Sequence, residues 1–126
     1  MKVSSIETDK APLPIGPYSQ AVVCGDTIYI SGQIPLDPET GEVAGATIEP
    51  QARQALANLK AILESQGLSV QSLVKTTVYL SDMGHFGAFN SIYETMLDGT
   101  RPARSVIAVA GLPRNVLVEI EAIACR

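Results

Sequence analysis

The sequence predicts a single α+β domain whose elements follow the order ββαβαββ. A length of 126 residues suits one domain, so residues 1–126 are expected to share one core. Two segments repeat apolar residues at helical spacing, and the segments around them are rich in β-branched residues that alternate with polar ones. Charged residues make up only 17% of the chain, against about 25% in ordinary soluble domains. We therefore expect the chain to form an oligomer that buries part of its weakly charged surface.

The first two strands are predicted to form a hairpin. Residues 19–24 and 27–31 have strand character, and Gly25 and Asp26 between them suit a two-residue turn. Residues 11–18 contain three prolines, which remove backbone donors and fix φ, so an ordered loop is predicted to carry Tyr18. Turn-forming residues over 35–41 predict a second loop.

The first helix is predicted from Thr47, a capping residue, to the stop at Gly67. Pro50 is tolerable in its first turn, and one face is apolar: Ala52, Leu56, Leu59, Ile62 and Leu63. Residues 74–80 then alternate as a half-buried strand, in which Val74, Val78 and Leu80 are predicted to share a face. The helix is expected to pack on the sheet that contains this strand.

A second helix is predicted to start at Asp82 and to end before Gly99, although Gly84 and Gly87 weaken its first turn. Its apolar side would carry Phe86, Phe89, Tyr93 and Met96 or Leu97. Two strands over about 103–110 and 116–124 complete the chain and are predicted to pair as a hairpin across residues 111–115. Both helices would then cover one face of the sheet, and another copy of the chain is the expected cover for the other.

Charge, motifs and cysteine spacing argue against several classes of function. The formal charge of −4 and the absence of a basic run disfavour a nucleic acid partner. No apolar leader and no stretch of about 20 apolar residues are found, so we expect a cytoplasmic protein without a membrane span. Nucleotide-binding, zinc-protease and serine-hydrolase motifs are lacking, and His85 has no sequence neighbour that singles it out. Cys24 and Cys125 are predicted to be buried structural thiols.

Arg104 places a guanidinium in an otherwise apolar strand. In a structural interpretation it lies at the strand end and reaches solvent or a carboxylate. In a functional one it clamps an anion, because the planar guanidinium binds a carboxylate through two charge-assisted hydrogen bonds. Composition alone slightly favours the structural interpretation.

Glu119 and Glu121 interrupt one face of the last strand and, at a period of two, must point the same way. A solvated sheet face explains them, but half-burial of one would raise its pKa and suit it to exchange protons with water. In the predicted hairpin Arg104 lies opposite Ala122, which places Arg104 and Glu119 on different faces. A shared site would then need a bulge or a neighbouring subunit.

Several segments together resemble the RidA (YjgF) family of enamine and imine deaminases over essentially the whole chain. They are residues 15–18 (IGPY), 31–35 (SGQIP), 51–54 (QARQ), 74–78 (VKTTV), Asn90, 102–105 (PARS) and 118–122 (VEIEA). The resemblance implies a chorismate-mutase-like fold, a homotrimer with its sheets facing inward, and three clefts between subunits. It also reverses the preference for a structural Arg104.

In the family, the arginine matching Arg104 grips the substrate carboxylate and the glutamate matching Glu119 is associated with the hydrolytic water. Tyr18, Ser31, Gly32 and Asn90 match residues that line or shape the cleft. The implied reaction hydrolyses 2-aminoacrylate, 2-iminobutanoate and related imino acids, released by pyridoxal-phosphate enzymes, to 2-oxo acids and ammonia without a metal or cofactor. Val106 departs from well-known members, which carry cysteine there, so no role of that thiol transfers.

Two other functions stay open at this point. RNA cleavage or translation inhibition has been proposed for some family members, although the acidic charge and the lack of a basic, aromatic-lined surface argue against it. A non-catalytic sensor of small carboxylates could use the same cleft without turnover.

Overall fold

The computed structural model describes residues 2–126, which form six strands and two α-helices. The strands are β1 (Val3–Ile6), β2 (Ala21–Cys24), β3 (Thr27–Gln33), β4 (Leu73–Leu80), β5 (Ala103–Ala108) and β6 (Val118–Cys125), and the helices are α1 (Ile48–Glu64) and α2 (Phe86–Met96). Short 3-10 turns over Val70–Ser72, Met83–His85 and Pro113–Asn115 precede β4, α2 and β6. The predicted α+β class is confirmed.

All six strands join one sheet in the order β1-β2-β3-β6-β4-β5. Only the β4–β5 pair is parallel, and α2 supplies the crossover that a parallel pair needs. Both helices pack against the same side of the sheet, where apolar side chains of α1 and α2 join those of β3, β4 and β6 in one buried cluster. We call this side the covered face and the opposite side the open face.

The predicted hairpin between the last two strands is wrong. β6 lies between β3 and β4 and is antiparallel to both, whereas β5 lies at the sheet edge beyond β4. Two long neighbours give β6 a ladder of hydrogen bonds on each side, so its pairing with them outweighs proximity in sequence. The 111–115 connection therefore crosses over β4 instead of forming a tight turn.

The first strand is missing from the predicted order. β1 has four residues, pairs with β2 at the other sheet edge and is largely exposed, so it carries no apolar alternation that a sequence pattern could reveal. The β2–β3 hairpin is confirmed, with Gly25 at φ 62° in its turn. The order in the structure is therefore βββαβαββ.

Both helices occupy the predicted segments, with small differences at their starts. Thr47 is at the N-cap of α1, but its side chain accepts no capping hydrogen bond. The helix stops where Gly67, at φ 70°, lets the Leu68 amide donate to the Leu63 carbonyl oxygen at 3.0 Å. Asp82 caps a 3-10 turn through its side chain, and the α-helix proper begins four residues later at Phe86.

Within β4 the predicted shared face of Val74, Val78 and Leu80 is wrong for Val74. The register against β6 shifts between Leu73 and Lys75, so Leu73 turns inward and Val74 is half exposed. A bulge adds one residue to the alternation, which a strict period of two cannot anticipate. Past the bulge, Thr76, Val78 and Leu80 all lie on the covered face and are fully buried.

The loop before β2 is ordered by a buried amide. Gln20 is 1% exposed; its Oε1 accepts from the Thr8 amide at 2.7 Å and its Nε2 donates to the Pro12 carbonyl at 2.8 Å. Prolines cannot donate to a ladder, and this side chain provides the missing order for the segment that leads to Tyr18.

The cysteine prediction is wrong in burial. Cys24 is partly buried, Cys125 is exposed, and both are free thiols. Across residues 2–126, no helix is long and apolar enough to cross a membrane.

Candidate active site

Arg104 lies on the edge strand β5, on the covered face but beyond the helices' full cover. The register pairs it with Thr76 of β4, which in turn pairs with Ala122 of β6. The side chain is solvent-exposed along this edge and extends over α2. Arg104 therefore lies near a strand end and reaches solvent, as the structural interpretation expected. It also contacts specific side chains of α2.

Three side chains of α2 hold the Arg104 guanidinium. Its Nη1 donates to Asn90 Oδ1 at 2.7 Å, and its Cζ lies 4.8 Å from the ring centre of Tyr93 and 5.6 Å from that of Phe86. Stacking on aromatic rings and a single amide contact fix the plane of the group while leaving other N–H donors free. Such a guanidinium is preorganised to receive a carboxylate edge-on.

A cleft of about 620 Å³ opens beside this group. Its walls come from the end of α2, the loop that follows and the start of β5: Asn90, Tyr93, Glu94, Thr95, Asp98, Gly99, Thr100, Arg101, Pro102 and Arg104. The predicted pair Arg104 and Asn90 therefore borders one open space. A small organic acid could reach the guanidinium from this side.

Glu119 lies on the open face of β6 and is half-buried. Burial raises the pKa of its carboxyl, and the charge of Glu121 raises it further. Glu121, two residues on, is exposed and accepts a hydrogen bond from the Tyr79 hydroxyl at 3.1 Å. The two carboxylates share a face as predicted, and their environments differ, because only Glu119 is partly withdrawn from water.

Gly32 gives Glu119 the space that it occupies. A Cβ built on Gly32 would lie 2.8 Å from the Glu119 carboxylate carbon, closer than carbon atoms pack, and closer still to Oε2. The bulge in β3 between Ile30 and Gln33 brings this glycine against β6. The absence of a side chain at Gly32 therefore lets the backbone approach the Glu119 carboxylate closely, while its role in shaping a cleft stays a prediction.

Tyr18 and Ser31 flank the Gly32 segment. Tyr18 is 51% exposed on the proline-rich loop, and with Gly32 it lines a small cavity of about 30 Å³. The Ser31 hydroxyl donates to the Ser19 carbonyl at 2.6 Å, and its amide donates to the Gln20 carbonyl at 2.9 Å. Ser31 therefore ties the Tyr18 loop to β3.

The predicted residues fall into two groups, one around Arg104 on the covered face and one around Glu119 on the open face. Arg104 and Asn90 form one, and Glu119 with Gly32, Ser31 and Tyr18 forms the other. The expectation that Arg104 and Glu119 lie on different faces is confirmed, although through the β5–β4–β6 register and not through a hairpin. Within one chain, the Arg104 guanidinium and the Glu119 carboxyl with the raised pKa do not meet.

The sequence did not single out Tyr93 or Thr76 as part of the site. Tyr93 falls on the apolar side of α2 and Thr76 alternates within a strand, so both patterns indicate core positions. Only the approach of β5 to α2 reveals that the Tyr93 ring also faces the guanidinium. Among residues 2–126, no group of three or more His, Cys, Asp and Glu side chains could hold a metal ion.

Comparison with known proteins identifies the family. The family model described as Endoribonuclease L-PSP matches residues 8–126. The chain belongs to this family, the RidA (YjgF) family. A mouse member named 2-iminobutanoate/2-iminopropanoate deaminase is 53% identical over 119 residues, which cover 94% of this chain and 88% of that protein.

Two solved structures show that the RidA family fold extends over the whole chain. A structure from Thermotoga maritima is 55% identical and superposes with a TM-score of 0.95, covering 100% of this chain and 98% of that one. Escherichia coli TdcF, solved with bound serine, is 46% identical and has a TM-score of 0.94, covering 98% of each chain. The expected RidA-type fold is thereby confirmed.

Proposed function

We propose that this protein hydrolyses 2-imino acids and their enamine tautomers, such as 2-iminobutanoate and 2-aminoacrylate, to 2-oxo acids and ammonia. The observation that carries the proposal is the Arg104 guanidinium, held by Asn90 and two aromatic rings beside an open cleft. Membership of a family whose mouse relative is named 2-iminobutanoate/2-iminopropanoate deaminase supports the reaction class.

In the proposed reaction Arg104 binds the substrate carboxylate and so holds the imino acid in the cleft. Water adds to C2 of the imine, which is already electrophilic, and Glu119 accepts the proton that the water loses. Glu119 returns this proton to the imine nitrogen, which gives a neutral carbinolamine. The Glu119 carboxylate then accepts the proton of the carbinolamine hydroxyl as the C=O bond forms and delivers it to the nitrogen, so that the C–N bond breaks and ammonia leaves. The balance is one imino acid and one water consumed, one 2-oxo acid and one ammonia released.

The raised pKa of Glu119 suits this double task. A carboxylate of ordinary pKa is a weak base, whereas half-burial beside Glu121 raises the pKa of Glu119 towards the range in which one group can both accept and return a proton. No nucleophilic side chain is needed, because water is the nucleophile. No cofactor or metal enters the proposed chemistry.

We further propose that the site is completed between subunits of a homotrimer. Arg104 and Glu119 lie on opposite faces of one sheet, so Glu119 of one copy would meet the Arg104 of another. The open face carries exposed apolar side chains, including Tyr29 and Ile107, which a second copy would cover. A cytoplasmic location stays a prediction of the sequence.

The test couples the protein to a source of imine. Addition to a threonine dehydratase with threonine is expected to speed the appearance of 2-oxobutanoate, and no acceleration at any concentration would refute the deaminase. Arg104→Ala should lower catalytic efficiency by about 100-fold or more, because it removes two charge-assisted hydrogen bonds. Arg53→Gln, on the exposed side of α1, is the matched control and should keep full activity.

Two alternatives have some support. The family description supports an endoribonuclease, although the charge of −4 opposes RNA binding; RNase activity that persists after removal of both Arg104 and Glu119 would indicate contamination or another site. The relative solved with bound serine is compatible with a carboxylate sensor. Calorimetry that shows tight binding of 2-oxobutanoate together with an inert imine assay would favour the sensor.

A further inference from the structure

The support beneath Arg104 extends into the core. The Tyr93 ring faces the guanidinium at 4.8 Å, and the Tyr93 hydroxyl lies 2.7 Å from the hydroxyl of Thr76. Thr76 is fully buried and Tyr93 is 7% exposed. A hydrogen bond between two hydroxyls in such a setting is costly to break, because water cannot replace the lost partner.

The same two residues also connect the strand that carries Arg104 to the helix that holds it. Thr76 pairs directly with Arg104 across the parallel β4–β5 ladder, while Tyr93 lies on α2 one turn from Asn90. The hydroxyl pair therefore fixes the distance and tilt between the strand and the aromatic ring. This distance and this tilt together determine where the guanidinium points.

Tyr93 is protonated when it performs this role. Burial raises the pKa of its hydroxyl, while the Thr76 hydrogen bond and the Arg104 charge oppose that increase. A neutral tyrosine offers a ring face for cation–π stacking without adding an anion that would compete with the substrate carboxylate. The Arg104 charge thus remains available to the ligand.

We propose that Thr76 and Tyr93 are positioning residues that hold the Arg104 guanidinium in the orientation that binds the substrate carboxylate. The inference rests on the proposed function, in which Arg104 is the carboxylate clamp. Thr76 and Tyr93 act through Arg104: they set the affinity for the acid and leave the addition of water unaffected. Substitutions that remove the contacts of Thr76 or Tyr93 should therefore raise KM and leave kcat unchanged.

A double-mutant cycle tests the hydroxyl pair. Tyr93→Phe keeps the ring and removes its hydroxyl, and Thr76→Val removes the other partner at nearly constant volume. Each is expected to raise KM for the imino acid about threefold, with kcat within about twofold of wild type. The double variant should match either single variant, because all three lose the same bond, and it leaves no buried hydroxyl unpaired and so protects the fold.

Two further variants separate the ring from the hydroxyl. Tyr93→Leu removes the stacking face and is expected to raise KM about tenfold. Thr76→Ser restores a hydroxyl and should return KM to the wild-type value. Ile92→Val, a buried change beside Tyr93 on the same helix, is the matched control: it should lower stability without moving KM.

Dissociation constants for 2-oxobutanoate, measured by calorimetry on each folded variant, should shift in parallel with KM. An unchanged KM and dissociation constant in Tyr93→Phe and in the double variant would overturn the inference. So would a fall in kcat that merely tracks the folded fraction, with KM constant. If the wild type binds 2-oxobutanoate but does not turn over imines, the proposed function fails while the affinity shifts still test the positioning pair.

Discussion

The two faces of the sheet obey the same alternation of side chains but lie in different environments. On the covered face Val78, Leu80 and Ile120 are fully buried beneath the helices, whereas on the open face Tyr29 and Ile107 are 51% and 44% exposed. Apolar side chains alone therefore do not make a core; a covering element does. The difference also divides the site, since Arg104 belongs to the covered face and Glu119 to the open one.

The largest expected effect is the difference in stability lost when an isoleucine is truncated on each of the two faces. Ile120→Ala, on the covered face, should lower the free energy of unfolding by about 2–5 kcal/mol, because it leaves a cavity under α1. Ile107→Ala, on the open face, should cost a single chain much less, since this side chain is already half exposed. Urea unfolding monitored by circular dichroism measures both.

Unfolding measured at several protein concentrations tests whether copies of the chain cover the open face. If copies of the chain cover it, the loss in Ile107→Ala grows with concentration and light scattering detects a smaller assembly. A loss in Ile107→Ala that equals that of Ile120→Ala in the dissociated chain would contradict the comparison of the two faces.

Gly32→Ala should disturb the open face at one point. The new methyl group needs the space of the Glu119 carboxylate, so the carboxylate must move and catalytic efficiency is expected to fall about tenfold or more. The melting temperature should change little if Glu119 swings towards solvent. Wild-type kinetics in this variant would show that the position of Glu119 is unimportant for turnover.

The pH dependence of Glu119→Gln tests the half-buried carboxylate. Because the folded-state pKa of Glu119 is raised, the folded chain binds more protons than the unfolded chain between the ordinary pKa and the raised one, and stability falls as pH rises through this window. Glu119→Gln should therefore raise the melting temperature above this window, and the gain should shrink as pH falls through it and vanish below the ordinary carboxyl pKa, where the wild-type carboxyl is protonated in both states.

Activity should depend on pH in the opposite direction to stability. Wild-type turnover is expected to decline as pH falls through the raised pKa, because the base becomes protonated, whereas Glu119→Gln should be inactive throughout. Glu39→Gln, an exposed carboxylate in the 35–41 loop, is the control and should reproduce both wild-type profiles. Equal melting curves for wild type and Glu119→Gln at all pH values would refute the role of burial.

The smallest expected effect is a gain in stability. Gly87 lies inside α2 with an ordinary helical φ, and a Cβ there would meet no atom within 4 Å. Gly87→Ala should stabilise the chain by about 0.5–1 kcal/mol, because alanine loses less backbone entropy in a helix. Thermal unfolding checks this, and wild-type kinetics are expected. A loss of stability would mean that another chain contacts this part of α2.

Local patterns in the sequence determined most of the elements. Apolar spacing located both helices, strand-type residue patterns located five of the six strands, and Gly25 and Asp26 located the first hairpin, because hydrophobic periodicity and turn chemistry act over a few residues. The same period placed Glu119 and Glu121 on one face. The four-residue edge strand β1 left no such pattern, and the bulge at Val74 broke one.

Only the tertiary structure decided which strands are neighbours and which side chains meet around the site. The insertion of β6 between β3 and β4 depends on long-range ladders that no local pattern records, and it brings Gly32 against Glu119. The parallel placement of β5 brings Arg104 over Tyr93, two residues 11 positions apart on different elements. The sequence by itself singled out Arg104 and Glu119 and placed Glu119 and Glu121 on one face. The register of β5, β4 and β6 placed Arg104 on the other face, and contacts between distant segments determined the surroundings of both residues, because packing selects among arrangements that share one pattern.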